Sequence, residues 1–335
     1  MINISEPQDK LSATKKELDE AKMSEQQQTS DDLASDEETI IAIGKQKISF
    51  QHVVLLLAAS LSVIIVVLVF IFTVLEGYKI IPEYGFVDFL FGPEWDSPHE
   101  QYGILPMIVG TILVVLIAAV IAIPVGTMAA MYLSEIAPEI VRKIMKPIIE
   151  ILASIPSIIY GFIGWRTLVL FLQNQLGFKS GRTAFTAGVV LSIMILPTII
   201  TIADDSLKAV PRAYREGSFA LGATNWQTIR KVVLPASSSG LTAAYILGFG
   251  RAIGETMAVY FLAGGGKNLQ WNIFRGVDTL TSLILKQLPE ASIGSVEYHA
   301  IFGAACVLFL ITFCVNLIGD LLIRRFSKKF RGASK

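Results

Sequence analysis

A chain of 335 residues that is 53% hydrophobic and only 17% charged, with a mean hydropathy of +0.59, has the composition of a membrane protein rather than of a water-soluble globule. Its formal net charge of zero conceals an asymmetry, because residues 1–47 hold 11 acids and 6 bases and leave the remainder basic. Those bases lie between long apolar runs and not on one polar face, which excludes a nucleic-acid binder, and two cysteines are too few for a secreted disulfide scaffold.

In chain order, residues 1–47, with a Gln26 to Gln28 run and the acids Asp31, Asp32, Asp36, Glu37 and Glu38, read as a disordered, solvating tail. The tail lacks a basic start followed by a short apolar stretch and a small-residue cleavage site, so the first apolar run is expected to be a permanent helix. A hydrocarbon core about 30 Å thick takes about 20 apolar residues in helix, since each backbone polar group must be satisfied within the segment. Six stretches qualify. Residues 53–75 carry no charge, 104–133 contain Pro106 and Pro124, 147–172 contain Glu150 and Arg166, and 183–203 contain Pro197. Residues 236–263 contain Arg251 and Glu255, and 300–323 contain only Asp320, near the end. The expectation is an all-α, polytopic protein with six transmembrane helices. The prolines at 124, 156 and 197 are expected to bend helices.

Lys and Arg resist translocation, which orients the spans. With the N-terminus inside, Lys45, Lys47, Arg142, Lys143, Lys146, Lys208, Arg212, Arg215, Arg230, Lys231 and the basic tail 324–335 share the inner side. Only Lys79, Lys179, Arg182, Lys267, Arg275 and Lys286 then lie outside. Both termini are therefore expected in the cytoplasm. Cys306 and Cys314 sit in one apolar run, about 12 Å apart at 1.5 Å per residue, too far to bridge. His52, His99 and His299 have no ligand spacing, so neither a metal site nor a catalytic residue is expected.

The loop 206–235 carries the most local information. Pro211 suits a helix start, Gly222 the residue just past a helix end, and Thr224 with Gln227 a capping box that opens a second short helix. The loop also carries Tyr214, Phe219, Leu221 and Trp226, which need cover. Two readings remain open: a loop lying back on its own bundle or the membrane surface, and a docking element for a cytoplasmic partner. The chain has no G-x-x-x-x-G-K-S/T phosphate cradle; the nearest string, Gly264-Gly265-Gly266-Lys267-Asn268, lacks the spacing and the hydroxyl.

Arg251 and Glu255 fall near the middle of the fifth span, where an arginine costs about 2.5 to 3.5 kcal/mol. At i and i+4 on one helix the two would neutralise each other in part, with Gly250 and Gly254 forming a GxxxG ridge for helix packing. The pair either fixes helix register or lines a solute pathway. In the second case the arginine fork suits a tetrahedral oxyanion, and the nearby glutamate keeps capture weak enough for release.

Glu216, Gly222 and Leu234-Pro235 have the spacing of the EAA loop, the coupling helix of ABC importer permeases, with Gly217 and Ser218 where that family usually has two alanines. The string GFGRAIGETMAV (248–259), the outer-loop string FGPEWDSPHEQYGILPMIVGT (91–111), and YLSEIAP (132–138) followed by ILASIPSIIYG (151–161) resemble the PstC-type permease of phosphate-specific ABC importers. The resemblance covers most of residues 85–323. It implies a type I (MetI-like) ABC importer fold in the cytoplasmic (inner) membrane, embedded in lipid. The domains are then a tail 1–47, a first helix with outer loop 48–103, a transport domain 104–323 containing the coupling loop 206–235, and the basic tail 324–335.

The resemblance further implies translocation of inorganic phosphate by Arg251 and Glu255, and docking on a cytoplasmic ATPase dimer through Glu216, Gly222, Leu234 and Pro235. The other implied partners are a second, homologous permease and an external phosphate-binding protein; ATP and Mg belong to the ATPase, and no cofactor is expected in this chain. A donor protein would land on loops 76–103 and 264–298; outward aromatics such as Trp95 and Tyr102 are equally expected as interfacial anchors, and the second loop, with Trp271 and Phe274, could instead simply cap the bundle. Residues 280–288 suit a short amphipathic helix. Transport of another oxyanion, sulfate or molybdate, remains an alternative, as does a gradient-driven secondary transporter or channel.

Overall fold

A computed structural model describes residues 50–331, with side chains from 52 to 325. The acidic tail 1–47 and the last part of the basic tail lie outside the described residues. The described residues from 69 onward belong to one compact unit, and those before 69 to another.

Helix α1 (Phe50–Tyr78) has Glu76 as its one charged residue, and two short helices follow, α2 (Ile80–Tyr84) and α3 (Phe86–Phe91). Strands β1 (Trp95–Asp96) and β2 (Gln101–Tyr102) then pair antiparallel with Trp95 opposite Tyr102. This hairpin is absent from the all-α expectation, and it buries both aromatics: Trp95 is fully buried and Tyr102 nearly so. They meet edge-on at 5.4 Å between ring centroids, and Tyr84 meets Tyr102 in the same way at 5.5 Å. Trp95 and Tyr102 are thus core residues of the cap formed by α2, α3 and the hairpin, not outward contacts.

Helix α4 (Leu105–Met131) takes Pro106 in its first turn, where the missing N–H costs nothing, and ends in a π-turn (Tyr132–Ile136). The 147–172 stretch is not one continuous helix. Helix α5 (Glu139–Ser154) stops before Pro156, and α6 (Ser157–Gly164), continuing through a π-turn to α7 (Leu170–Leu176), leaves at 90° to it. The cause is Pro156, which has no N–H to donate and holds Ile155 in extended backbone (φ −64°, ψ 128°). Tyr160 bridges the corner, its hydroxyl donating to the Leu152 carbonyl at 2.8 Å. Helix α5 is amphipathic, with Ile140, Ile144, Ile148 and Ile151 exposed at helical spacing.

Helix α8 (Ala184–Lys208) opens on Thr183, whose hydroxyl accepts from the Thr186 N–H. It packs more extensively on α4 than any other pair of elements packs, and glycine allows the approach. A methyl group on Gly188 would come within 2.5 Å of Ile117, and one on Gly126 within 2.7 Å of Ile199. The main core lies here, built from Val114, Ala118, Leu191, Met194, Ile195 and Ile199.

The 206–235 loop forms α9 (Arg212–Ala220) and α10 (Asn225–Thr228), then a π-turn (Ile229–Val233) and α11 (Leu234–Ala236). Pro211 sits one place earlier than expected, as the residue before the first helical one. Helix α12 (Ser238–Ile253) leaves α11 at 70°, and α13 (Met257–Leu262) follows after a three-residue break. Helix α14 (Leu280–Gln287) lies in the 280–288 stretch, and α15 (Val296–Arg331) completes the chain. Among the described residues four helices are long and apolar enough to cross a membrane, and six spans result if each bent pair counts as one.

Candidate functional site

The fifth apolar stretch differs from its expected geometry at the two residues of greatest interest. Helix α12 ends at Ile253, so Arg251 is in its last turn and Glu255 lies beyond it. The Gly254 N–H still reaches the Gly250 carbonyl at 3.3 Å, but Glu255 donates to Ala252 in a tightened turn and the helix is spent. The i, i+4 pair on a continuous helix face is therefore corrected.

Glu255 turns instead to the next helix. Its Oε1 accepts from the Ala258 N–H at 3.2 Å, capping α13 and setting a carboxylate at the helix's positive end. Its carbonyl accepts from the Thr281 hydroxyl at 2.8 Å, which fixes the break against α14. Arg251 turns to α8, where Nη1 donates to Thr198 Oγ1 at 2.9 Å. Among the described residues Arg251 has no carboxylate within ion-pairing distance. Its guanidinium is half-buried, held by one neutral hydroxyl and within electrostatic reach of Tyr160 on α6.

The glycine ridge also falls elsewhere. A methyl group added at Gly250 would rest 3.6 Å from Asn316 Oδ1, an ordinary contact, and one added at Gly254 would meet only the backbone of its own turn. Close approach within the chain occurs at Gly248 against Ile199, at Gly161 and Gly164 against Ala258 and Leu262, and at Gly319 against Ile246. Helices α6, α8, α12 and α13 thus converge on the break that carries Arg251.

A second constellation is the 206–235 loop, where the local reading matches the structure closely. Thr224 and Gln227 form the reciprocal capping box, and Gly222 closes the turn at φ +79°, a left-handed conformation costly for any residue with a Cβ. Glu216 and Gly222 are exposed, whereas Leu234 and Pro235 are half-buried at the root. Tyr214, Phe219, Leu221 and Trp226 remain open, Leu221 at 90% and Trp226 at 57% exposure. The loop does not fold its aromatics back onto its own bundle. Its root is a separate apolar cluster of Ala130, Ala203, Leu207, Val210, Val233, Leu241 and Ala244.

On the 264–298 connection, Trp271 and Phe274 are exposed. Lys286 donates to Asp278 at 2.6 Å, and Asp278 is nearly buried. Burial, reinforced by the Glu297 carboxylate, raises the Tyr102 hydroxyl above its ordinary range and keeps it protonated.

Thr198, Tyr160 and the Glu135 partner of Arg215 were not legible beforehand. Each lies in another segment, tens of residues away in sequence, and no local pattern marks it.

Residues 122–332 match the family described as binding-protein-dependent transport system inner membrane component. The probable ABC transporter permease protein YqgH of Bacillus subtilis (strain 168) is 39% identical over 234 residues, 69% of this chain and 76% of its own. The phosphate transport system permease protein PstC of Pasteurella multocida (strain Pm70) is 37% identical over 265 residues, 73% of this chain and 82% of its own. Among solved structures, a chain of a bacterial alginate ABC transporter, crystallised with its alginate pentasaccharide-bound periplasmic protein, superposes with a TM-score of 0.58. It covers 84% of this chain and 99% of that one at 16% identity, a likeness of fold alone.

Proposed function

The chain belongs to the binding-protein-dependent transport system inner membrane component family, and on that premise we propose that it is a permease subunit carrying inorganic phosphate inward through an ATP-driven importer. The observation that carries the proposal is Arg251. A half-buried guanidinium beside a break in an apolar helix, held by one hydroxyl and lacking a carboxylate partner among the described residues, has N–H groups to offer an anion. Its planar fork matches two oxygens of a tetrahedral oxyanion. Phosphate is the oxyanion that the names of the PstC relatives specify for those proteins.

Glu255, held in the α13 cap, adds a negative charge a few residues away that keeps the anion from settling. Phosphate arrives from an external binding protein, passes Arg251 and is released to the cytoplasm, with no bond made or broken on this chain. ATP and Mg are handled by a cytoplasmic ATPase dimer that seats against the open aromatics of the 206–235 loop. Gly250, half-buried with room for a Cβ beside Asn316, and Gly254, exposed, offer a surface on which a second, related permease packs. In this arrangement 104–323 is the transport domain, 48–103 an added helix and outer loop, and both termini face the cytoplasm.

The test is phosphate uptake by the reconstituted complex with ATP supplied and the proton gradient collapsed. Undiminished uptake is expected. Loss of uptake on collapse, with ATP present, would assign the chain to gradient-driven transport.

A further inference from the structure

We propose that Arg215 and Glu135 form the clamp that transmits movement of the 206–235 loop to the membrane helices, an inference that rests on the reading of that loop as the ATPase docking element. Arg215 lies in α9, but its side chain is spent entirely on other segments. Nε donates to Glu135 Oε2 at 3.1 Å and Nη2 to Glu135 Oε1 at 2.7 Å, a two-pronged ion pair across 80 positions of sequence. Nη1 donates to the Val210 carbonyl at 2.6 Å, and Nη2 also to the Leu207 carbonyl at 2.9 Å. One guanidinium therefore joins α9 to the π-turn that ends α4 and to the carbonyls left over at the end of α8.

The surroundings make this junction stiff. The two side chains are 19% and 11% exposed, too sheltered for water to screen the pair strongly. Beneath them Ala130 of α4, Leu207 of α8, Val233 of the π-turn Ile229–Val233 and Leu241 of α12 share one apolar cluster. The link also extends outward: Ser134 donates to Glu135 Oε1 at 3.2 Å, and Arg142 of α5 donates to the Ser134 carbonyl at 2.7 Å. On the loop itself, Ser218 and Thr228 hydroxyls are 2.9 Å apart and tie α9 to α10.

A partner pressing on Tyr214, Phe219, Leu221 and Trp226 thus presses on a body bolted at Arg215 to α4 and α8. Released from Glu135, the loop would still present its aromatics and still dock. Its displacement would be taken up at residues 209–211 instead of moving the helices around Arg251.

The experiment measures phosphate uptake and ATP hydrolysis on the same vesicles, using the complete complex with Glu135→Gln, Arg215→Gln and the double variant. In the single variants the ATPase is expected to co-purify in full, while phosphate moved per ATP falls about tenfold, the size of a coupling term of order 1.4 kcal/mol. The double variant is expected to be no worse than either single one. Glu135→Gln leaves both carbonyl contacts of Arg215 in place, so it reports on the clamp even where Arg215→Gln fails to fold. A wild-type ratio of phosphate to ATP in Glu135→Gln overturns the clamp, as does an additive loss in the double variant. A separate arm, Leu221→Asp, leaves the clamp intact and is expected to release the ATPase; retention of the ATPase with full uptake would overturn the docking reading instead.

Discussion

Trp95 and Trp226 both sit in short connecting segments rich in aromatics, yet one is fully buried and the other is 57% exposed. Around Trp95 the chain supplies its own cover: the hairpin, α2, α3 and the start of α15 enclose Tyr102, Phe89 and Ile80 in one cluster. Around Trp226 it supplies none, although the same loop has a well-formed turn, a complete capping box and a sealed root. A loop that is locally ordered but leaves large apolar side chains open is, on the proposed reading, a docking face for the ATPase. Aromatic content alone does not separate a structural cap from a docking face; the separation comes from whether the chain itself closes over the rings.

The largest expected effect lies on the buried side of that comparison. Trp95→Ala empties a fully enclosed site and should cost about 3–5 kcal/mol, read as a fall in the unfolding temperature of the solubilised chain. Trp226→Ala should leave that temperature nearly unchanged and weaken ATPase retention by about 2 kcal/mol, roughly thirtyfold in affinity. Equal losses of stability in the two variants would erase the distinction.

Gly222→Val forces a β-branched residue into the left-handed region, where open space around the position gives no steric relief from backbone strain. It should cost about 1–2 kcal/mol and detach the ATPase by misplacing α10 against α9. Thr224→Ala removes one half of the capping box and should cost about 1 kcal/mol, seen as faster amide exchange confined to α10.

What the sequence carried and what it hid divide along the range of the interaction. Thr224 with Gln227, and Gly222 after α9, are decided within a few residues, so the loop was readable almost to the residue. The apolar runs located every span, because burial in lipid needs only length and composition. The breaks were different. Pro156 announced a bend but not a right angle, which depends on α6 packing against α13 through Gly161 and Gly164. Gly254 is itself a stop signal, standing as the C-cap of α12, but read as half of a GxxxG ridge it did not announce the end of the helix. The helix stops because Glu255 finds a better partner in the Ala258 N–H and Thr281 a better one in the Glu255 carbonyl. Spacing therefore predicted Arg251 and Glu255 as a mutual pair, whereas each is satisfied in part by a distant segment. The same limit hid Thr198 and the Glu135 partner of Arg215, whose roles exist only once the helices meet.

The central claim is that Arg251, left without a carboxylate partner among the described residues, meets the passing anion. Its most direct test is phosphate uptake by the reconstituted complex carrying Arg251→Gln, with subunit assembly checked in the same preparation. Loss of a charged contact worth about 1.5–3 kcal/mol should lower uptake by roughly tenfold to a hundredfold while every subunit remains associated. Uptake at the wild-type rate from a fully assembled Arg251→Gln complex would contradict it.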